Sequence, residues 1–161
     1  MRPLPPVRQR AETLGWWLVT AAGAIAVLSA MLPWVQVPVG FEQLRVRGIS
    51  RPVGGAVLVV GIALLLLVGY AARRPGLAFP VRIVAEVAVA LGVAAVVGWM
   101  DVQDLLTKDQ PGLGVHPGHV GPGIRLVGVA AAILLIAAGY VRRALVRTRA
   151  DASERDGAHD E

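Results

Sequence analysis

The amino-acid sequence predicts an all-α membrane protein, built as a bundle of four transmembrane helices. Of its 161 residues, 55% are hydrophobic and only 17% are charged, whereas a soluble domain usually carries about a quarter charged residues. The apolar residues form four blocks instead of the amphipathic spacing of a soluble helix. About 20 apolar residues in a helix cross the ~30 Å hydrocarbon core of a bilayer, and each block has roughly that length.

The four blocks define the helices in chain order. The first has 19 residues without a charge and the second 20, while the third has 18 with one acid, Glu86, and the fourth 19 with one base, Arg125. The first block also follows a basic segment, as in a signal peptide, but it exceeds the usual apolar core of about 7–15 residues. We therefore expect a retained helix. The predicted segments are a cytoplasmic N-terminus at 1–13, a transmembrane domain at 14–145 with helices at about 14–32, 53–72, 82–100 and 123–141, and a tail at 146–161.

The segments between and after the helices differ in pattern. Residues 34–49 alternate polar and apolar around a turn-like centre, which predicts a short extracytoplasmic β-hairpin between helices 1 and 2. Pro38 limits this hairpin to an edge pairing, because proline donates no backbone hydrogen bond. Residues 101–122 are rich in Gly and Pro and predict an irregular loop with a helical turn at 102–107. The tail alternates arginine with acids and predicts a disordered cytoplasmic segment.

Basic and aromatic residues predict the orientation of the bundle. Short cytoplasmic loops carry an excess of Lys and Arg. Eleven basic residues fall beside the termini and the loop joining helices 2 and 3, against five on the other side. We therefore predict a multi-pass protein of the cell (inner) membrane with both termini in the cytoplasm. Aromatic rings favour headgroup level, and the sequence places them at block ends: Trp16, Trp17, Tyr70 and Tyr140 at the cytoplasmic boundary, Trp34 and Trp99 at the outer one.

Helices 2 and 4 resemble each other, which indicates a duplicated two-helix hairpin. Each begins near a proline, Pro52 or Pro122, and each closes on a Gly-Tyr pair, with 17 residues from the proline to that glycine in both. A duplication would relate two parallel hairpins by an axis along the membrane normal. The alternative also stays open, because any membrane helix with a proline start and a Tyr-Arg stop has this form.

Glu86 carries the clearest functional hypothesis. It lies about six residues into helix 3, where an acid is costly and is often functional. It also falls on a row of residues at i+4 spacing, a pattern that packs helices together, so we expect it to face the bundle. Two roles stay open: an ion pair with Arg82, or a proton- or substrate-linked site. The rows predicted to pack are Arg82, Glu86, Ala90, Ala94 and Gly98 in helix 3, Ala22, Ala26 and Ala30 in helix 1, and Gly128 and Ala132 in helix 4.

The loop before helix 4 offers a weaker candidate, a ligand loop. His116 and His119, with Asp101 and Asp104, carry donors that suit zinc or copper. Their spacing matches no established metal motif, so a solvated polar loop is the simpler interpretation. Arg125 is expected to extend to the headgroups, or to pair with Asp101 or Asp104.

Absent residue types exclude several functions. The chain has no cysteine, which excludes disulfide exchange and thiolate metal sites. No histidine lies in an apolar block, which excludes a bis-histidine haem in the bundle, and no Gly-x-x-x-x-Gly-Lys phosphate loop occurs. The net charge of +5 comes from arginines near helix ends, where they serve topology and anionic lipids, so we expect no nucleic-acid partner. We also expect no catalytic residue, no resident metal and no cofactor.

Two short motifs carry a family resemblance. Leu32-Pro33-Trp34-Val35 follows helix 1, and Gly121-Pro122-Gly123 opens helix 4. With the Arg, Ala and Val bias and a single lysine, the chain resembles small four-helix membrane proteins of high-GC actinobacteria, including the family labelled tryptophan-biosynthesis-associated. The resemblance spans all four helices. Because the label describes genomic association, it implies the fold and no catalytic residue.

These observations favour a non-enzymatic accessory or scaffolding component that acts through helix and loop contacts. Its partners would be the lipid bilayer and either another protein or further copies of the chain. The contact surfaces would be the helix-3 row and the outer hairpin. Two alternatives remain, a small proton-coupled transporter that uses Glu86 and an extracytoplasmic metal or ligand sensor that uses the histidine loop.

Overall fold

A computed structural model describes residues 6–39, 42–74, 77–107 and 119–157. Within these ranges the chain is mostly helical, with a small sheet at one end of the helices. The elements, in chain order, are α1 (Pro6–Met31), β1 (Pro33–Val39), β2 (Glu42–Arg47), a 3-10 turn (Gly48–Ser50), α2 (Pro52–Arg73), α3 (Val81–Thr107), β3 (His119–Val120) and α4 (Pro122–Gly157).

All four helices are long and apolar enough to cross a membrane. The candidate spans are Gln9–Met31, Pro52–Arg73, Val81–Asp104 and Pro122–Arg147. Each contains the corresponding predicted helix, apart from the last residue of the first, Leu32. At 1.5 Å per residue, even the shortest exceeds the ~30 Å of a hydrocarbon core.

The helices are not equivalent in the bundle. Within the apolar spans, 39% of α1 and 44% of α4 are buried, against 22% of both α2 and α3. α1 packs extensively on both α2 and α4, α4 also packs on α3, and α2 touches α3 only sparsely. The spatial order is therefore α2–α1–α4–α3, with a loosely closed seam between the outer two helices.

This order differs from the symmetry that a duplicated hairpin would produce. A two-fold axis relating α1 to α3 and α2 to α4 would make the α1–α4 and α2–α3 interfaces alike. In the structure the first is the most extensive helix contact and the second is slight. Helices 2 and 4 are thus similar in sequence but not in their position in the bundle, since α4 is an inner helix and α2 an outer one.

Small residues set how closely α1 approaches its neighbours. The predicted alanine row of α1 is confirmed as a packing surface, because Ala22, Ala26 and Ala30 are all fully buried. Against α2, a Cβ on Gly61 would lie 3.0 Å from the Val27 backbone nitrogen, and one on Gly23 would lie 3.3 Å from the Gly61 carbonyl oxygen. Dispersion contacts at such short range are what hold apolar helices together where the surroundings are equally apolar.

The predicted β-hairpin is present, and a third strand extends it. β1 pairs antiparallel with β2, and on its other side Val35 and Gln36 pair with β3. Pro38 lies beyond the two residues that β3 covers, so among the described residues β1 is central at its start and pairs with β2 alone at Pro38. The two-residue β3 was missed because a strand so short has no periodicity to detect.

Trp34 is only 2% exposed, so the prediction that its ring lies at headgroup level is wrong. It sits where the β1–β2 register shifts between Pro33 and Val35, and a bulge of this kind redirects a side chain. The indole nitrogen donates to the Ser29 carbonyl oxygen at 2.9 Å, so the polar atom of the ring is satisfied inside the protein.

Glycines surround the Trp34 ring. A Cβ on Gly98 would lie 2.9 Å from the ring, one on Gly123 would lie 2.5 Å from it, and one on Gly48 would overlap the indole nitrogen. Gly121 fits against the neighbouring backbone and donates its N–H to the Trp34 carbonyl oxygen at 2.8 Å. This Trp34 cage joins the end of α1, the 3-10 turn, α3 and the start of α4.

The opposite end of the bundle is closed by Phe79 from the α2–α3 linker. Phe79 is 5% exposed and meets Trp16 edge-on, with ring centroids 5.1 Å apart. A Cβ on Gly15 would lie 2.8 Å from both Phe79 and Val141. The ring therefore fills the space between α1 and α4. We call this the Arg-rich end (residues 6–20, 68–86 and 138–147), and the other the sheet end (residues 29–52, 98–107 and 119–125).

Helix ends differ most from the sequence prediction. α1 begins at Pro6, inside the predicted N-terminal segment, and α4 continues to Gly157, through most of the predicted disordered tail. Both extensions are rich in Ala, Arg and Glu, which are strong helix formers. The remaining tail, 158–161, lies outside the described residues.

Candidate functional site

Glu86 and Arg82 form an ion pair on the surface of α3. The Arg82 Nε donates to Glu86 Oε1 at 2.9 Å across one helical turn. The two side chains are 92% and 64% exposed, Arg82 being the more exposed. Each therefore points away from the bundle, and the pair lies near the Arg-rich end of an otherwise apolar span.

That exposure corrects the prediction that Glu86 faces the bundle. Along the predicted row, Glu86 and Ala90 are exposed, Ala94 is half-buried and Gly98 is buried. Four residues advance about 400° around a helix of 3.6 residues per turn, so each step rotates by about 40°. Over four steps the row turns by about 160°, and its two ends face opposite directions.

The buried face of α3 is a different set of residues. It combines positions three, four and seven apart, as an amphipathic helix does. Its members are Val84, Ala88, Leu91, Gly98 and Val102. The predicted packing pair of α4 is likewise outward, since Ala132 is exposed and a Cβ on Gly128 would meet no atom within 4 Å.

The residues of the proposed ligand loop are only partly described. His116 lies outside the described residues, whereas His119 opens β3, and both Asp101 and Asp104 lie near the end of α3. No group of three His, Cys, Asp or Glu side chains able to hold a metal ion occurs within the described ranges. The structure therefore adds no geometric support for a metal centre there.

Asp101 has another partner that the sequence did not suggest. Its carboxylate accepts a hydrogen bond from Arg51 Nη1 at 3.5 Å, while Arg125 is exposed at the start of α4. Arg51 is the residue just before α2, so this ion pair bridges the outer helices α2 and α3 at the sheet end. The sequence separation of 50 residues left no local signal for it.

The residues quoted for the family resemblance meet in space. Trp34 packs against Gly123, and its carbonyl oxygen receives the Gly121 N–H. The two motifs thus form one structural unit, the Trp34 cage, and the tight contact explains why Gly flanks Pro122. The chain matches no family model and no curated protein, so the resemblance to the actinobacterial membrane proteins stays a prediction.

Proposed function

We propose that this chain is a non-enzymatic accessory or scaffolding component of the cell membrane, acting through helix contacts with a partner protein or with further copies of itself. The observation that carries the proposal is the outward Arg82–Glu86 pair on an apolar span. A carboxylate that faces hydrocarbon is costly. A partner helix placed against it supplies polar contacts that lipid chains do not.

The contact surface would be the outer α3 face, defined as Arg82, Glu86, Ala90, Val93 and Val97. All five residues are exposed. Ala90 is small and exposed, so another backbone has room to approach closely there. The outer sheet, where β2 forms an edge strand, is a second contact surface.

The orientation belongs to the same proposal. The Arg-rich end would face the cytoplasm, because eleven of the sixteen basic residues belong to it and to the termini. Ile49 at the sheet end is 43% exposed and Leu77 at the Arg-rich end is 38% exposed, and both lie outside the long helices. Ile49→Cys should react with a membrane-impermeant maleimide in intact cells, and Leu77→Cys only after permeabilisation. The reverse pattern would invert the proposed topology.

Cysteine cross-linking tests the contact surface without any background substitutions, because the chain has no cysteine. Ala90→Cys on the outer α3 face should form a disulfide with the same introduced cysteine of a second copy in oxidised membranes, or an adduct with another partner through a photo-activatable maleimide. Ala88→Cys is the matched control, since Ala88 is 1% exposed on the same helix. Equal adduct yields from the two variants would argue against the outer α3 face.

Affinity purification in mild detergent identifies what is bound. We expect the wild type to enrich a reproducible partner or to migrate as an oligomer, and Glu86→Gln to weaken that association. A lone monomer with no enriched protein would overturn the accessory role. Glu86→Gln in proteoliposomes separates the transporter alternative, because loss of a proton-coupled flux would support transport instead.

A further inference from the structure

A cleft lies between α1 and α2 at the Arg-rich end. The two helices approach closely at Gly23 and Gly61, and nearer the Arg-rich end they flank an open cleft of about 400 Å³. That volume falls in the usual range of small-ligand sites. The cleft is lined by Thr13, Trp16, Trp17, Thr20, Val68, Ala71 and Ala72.

A second depression continues from the cleft along α1. It shares Thr13 and Trp17 with the cleft and adds Gln9, Arg10 and Leu14. Trp17 is 69% exposed, and its side chain lines both spaces. The combined site is apolar where it lies deeper in the helices and cationic where it reaches Arg10.

Charge at the mouth of this site is strongly positive. Arg10 lines the second depression, and Arg73 and Arg74 directly follow the cleft residue Ala72 in sequence; all three arginines are exposed. Across the whole of α1 and α2 the sequence has one acid, Glu12. An anionic headgroup is therefore complementary to the mouth, whereas a choline headgroup would bring its own cation towards Arg10.

We propose that the cleft binds one anionic phospholipid, with its phosphate at Arg10 and an acyl chain between Trp17 and Ala72. The cleft-lining residues all fall within the candidate spans Gln9–Met31 and Pro52–Arg73, so an acyl chain reaches it directly from a bilayer. The Thr13 and Thr20 hydroxyls donate to the carbonyls of Gln9 and Trp16 at 2.9 Å. Both hydroxyls are thereby satisfied within α1, so they do not oppose an acyl chain in the cleft. This inference rests on the membrane placement in the proposed function but not on the outer α3 face.

Native mass spectrometry of the detergent-solubilised chain tests the inference, with phosphatidylglycerol and phosphatidylcholine supplied in equal amounts. The wild type should retain one phosphatidylglycerol in preference. Arg10→Gln should lower that preference about fivefold, the factor expected for one arginine near an anionic surface. Arg143→Gln is the control, since it removes the same charge from an exposed position on α4, and it should leave the preference unchanged.

A second pair of variants locates the lipid. Ala72→Leu fills the cleft and should abolish retention, whereas Ala63→Leu, at an exposed position of α2 outside the cleft, should not. Equal retention of both lipids by the wild type, or equal losses from Arg10→Gln and Arg143→Gln, would overturn the proposed site. Recovery of the chain in the soluble fraction without detergent would refute the membrane placement itself. Because that result is obtained before any lipid is added, it is distinguishable from failure of the lipid site.

Discussion

Trp34 at the sheet end and Trp17 at the Arg-rich end have opposite environments. At the sheet end, Trp34 is buried among glycines and its indole N–H bonds to the Ser29 carbonyl. At the Arg-rich end, Phe79 packs on Gly15 between α1 and α4, but Trp17 is 69% exposed beside a cleft and Gly139 has no neighbour that an added Cβ would meet. The sheet end therefore fixes how four chain segments meet, while the Arg-rich end presents surface that is available for binding.

Removing the Trp34 ring should give the largest effect. Trp34→Ala leaves a cavity inside the cage and an unpaired Ser29 carbonyl, for an expected loss of about 3–5 kcal/mol in the free energy of unfolding. Trp17→Ala should change it by less than about 0.5 kcal/mol, as an exposed substitution does. Thermal unfolding in detergent, followed by size-exclusion recovery after heating, measures both. Comparable losses from the two variants would mean that the sheet end is not the more tightly specified.

Glycine substitutions should give the next largest effect. A Cβ on Gly123 would lie 2.7 Å from the Ser29 carbonyl oxygen as well as against the Trp34 ring. Gly123→Ala therefore requires a backbone shift, and overpacking of this kind costs about 1–3 kcal/mol.

Gly128→Ala is the control on the same helix. Nothing lies within 4 Å of its added Cβ, and alanine is favoured over glycine in a helix by up to about 1 kcal/mol. The same unfolding measurement should therefore shift in opposite directions for the two variants. A destabilised Gly128→Ala would instead point to a partner that packs against α4 at this position.

The contrast between the ends also explains which parts of the fold could be predicted from the sequence. Block length and apolar content predict the four helices, because these are local properties of about 20 residues. Alternation predicts the β1–β2 hairpin for the same reason. The Trp34 cage depends on contacts of the Trp34 ring with Gly48, Gly98 and Gly123, which lie far apart in sequence. A tryptophan at a block end looks the same whether it faces headgroups or a bulge turns it inwards.

The candidate site was predicted in part. The i+4 spacing identified Arg82 as the partner of Glu86, and the structure contains that ion pair. The prediction that Glu86 faces the bundle was wrong, because an i+4 row winds around the helix. Only its distal residues, Ala94 and Gly98, pack towards the core. The cleft beside Trp17 left no sequence signal at all, since it depends on how α1 and α2 diverge beyond Gly23 and Gly61.

The Arg51–Asp101 ion pair tests whether charge also holds the sheet end together. The side chains are 32% and 51% exposed, so solvent screens the interaction and Asp101→Asn should cost less than about 1 kcal/mol. A double-mutant cycle with Arg51→Gln isolates the pair, and its coupling should shrink as salt is raised. A coupling comparable to the Trp34→Ala loss would show that the loosely packed α2–α3 seam depends on this bridge rather than on the cage.

The smallest effect on stability is expected at Glu86, and it separates folding from binding. An exposed i,i+4 pair contributes about 0.3–0.5 kcal/mol, so Glu86→Gln and Arg82→Gln should unfold at nearly the same temperature as the wild type. The same two variants should nevertheless recover less of the partner or oligomer, because the outer α3 face lies outside the packed core. If instead stability and association fall together, the pair acts within the fold. Unchanged association with unchanged stability would move the contact surface away from α3, leaving the outer sheet as the surface to test.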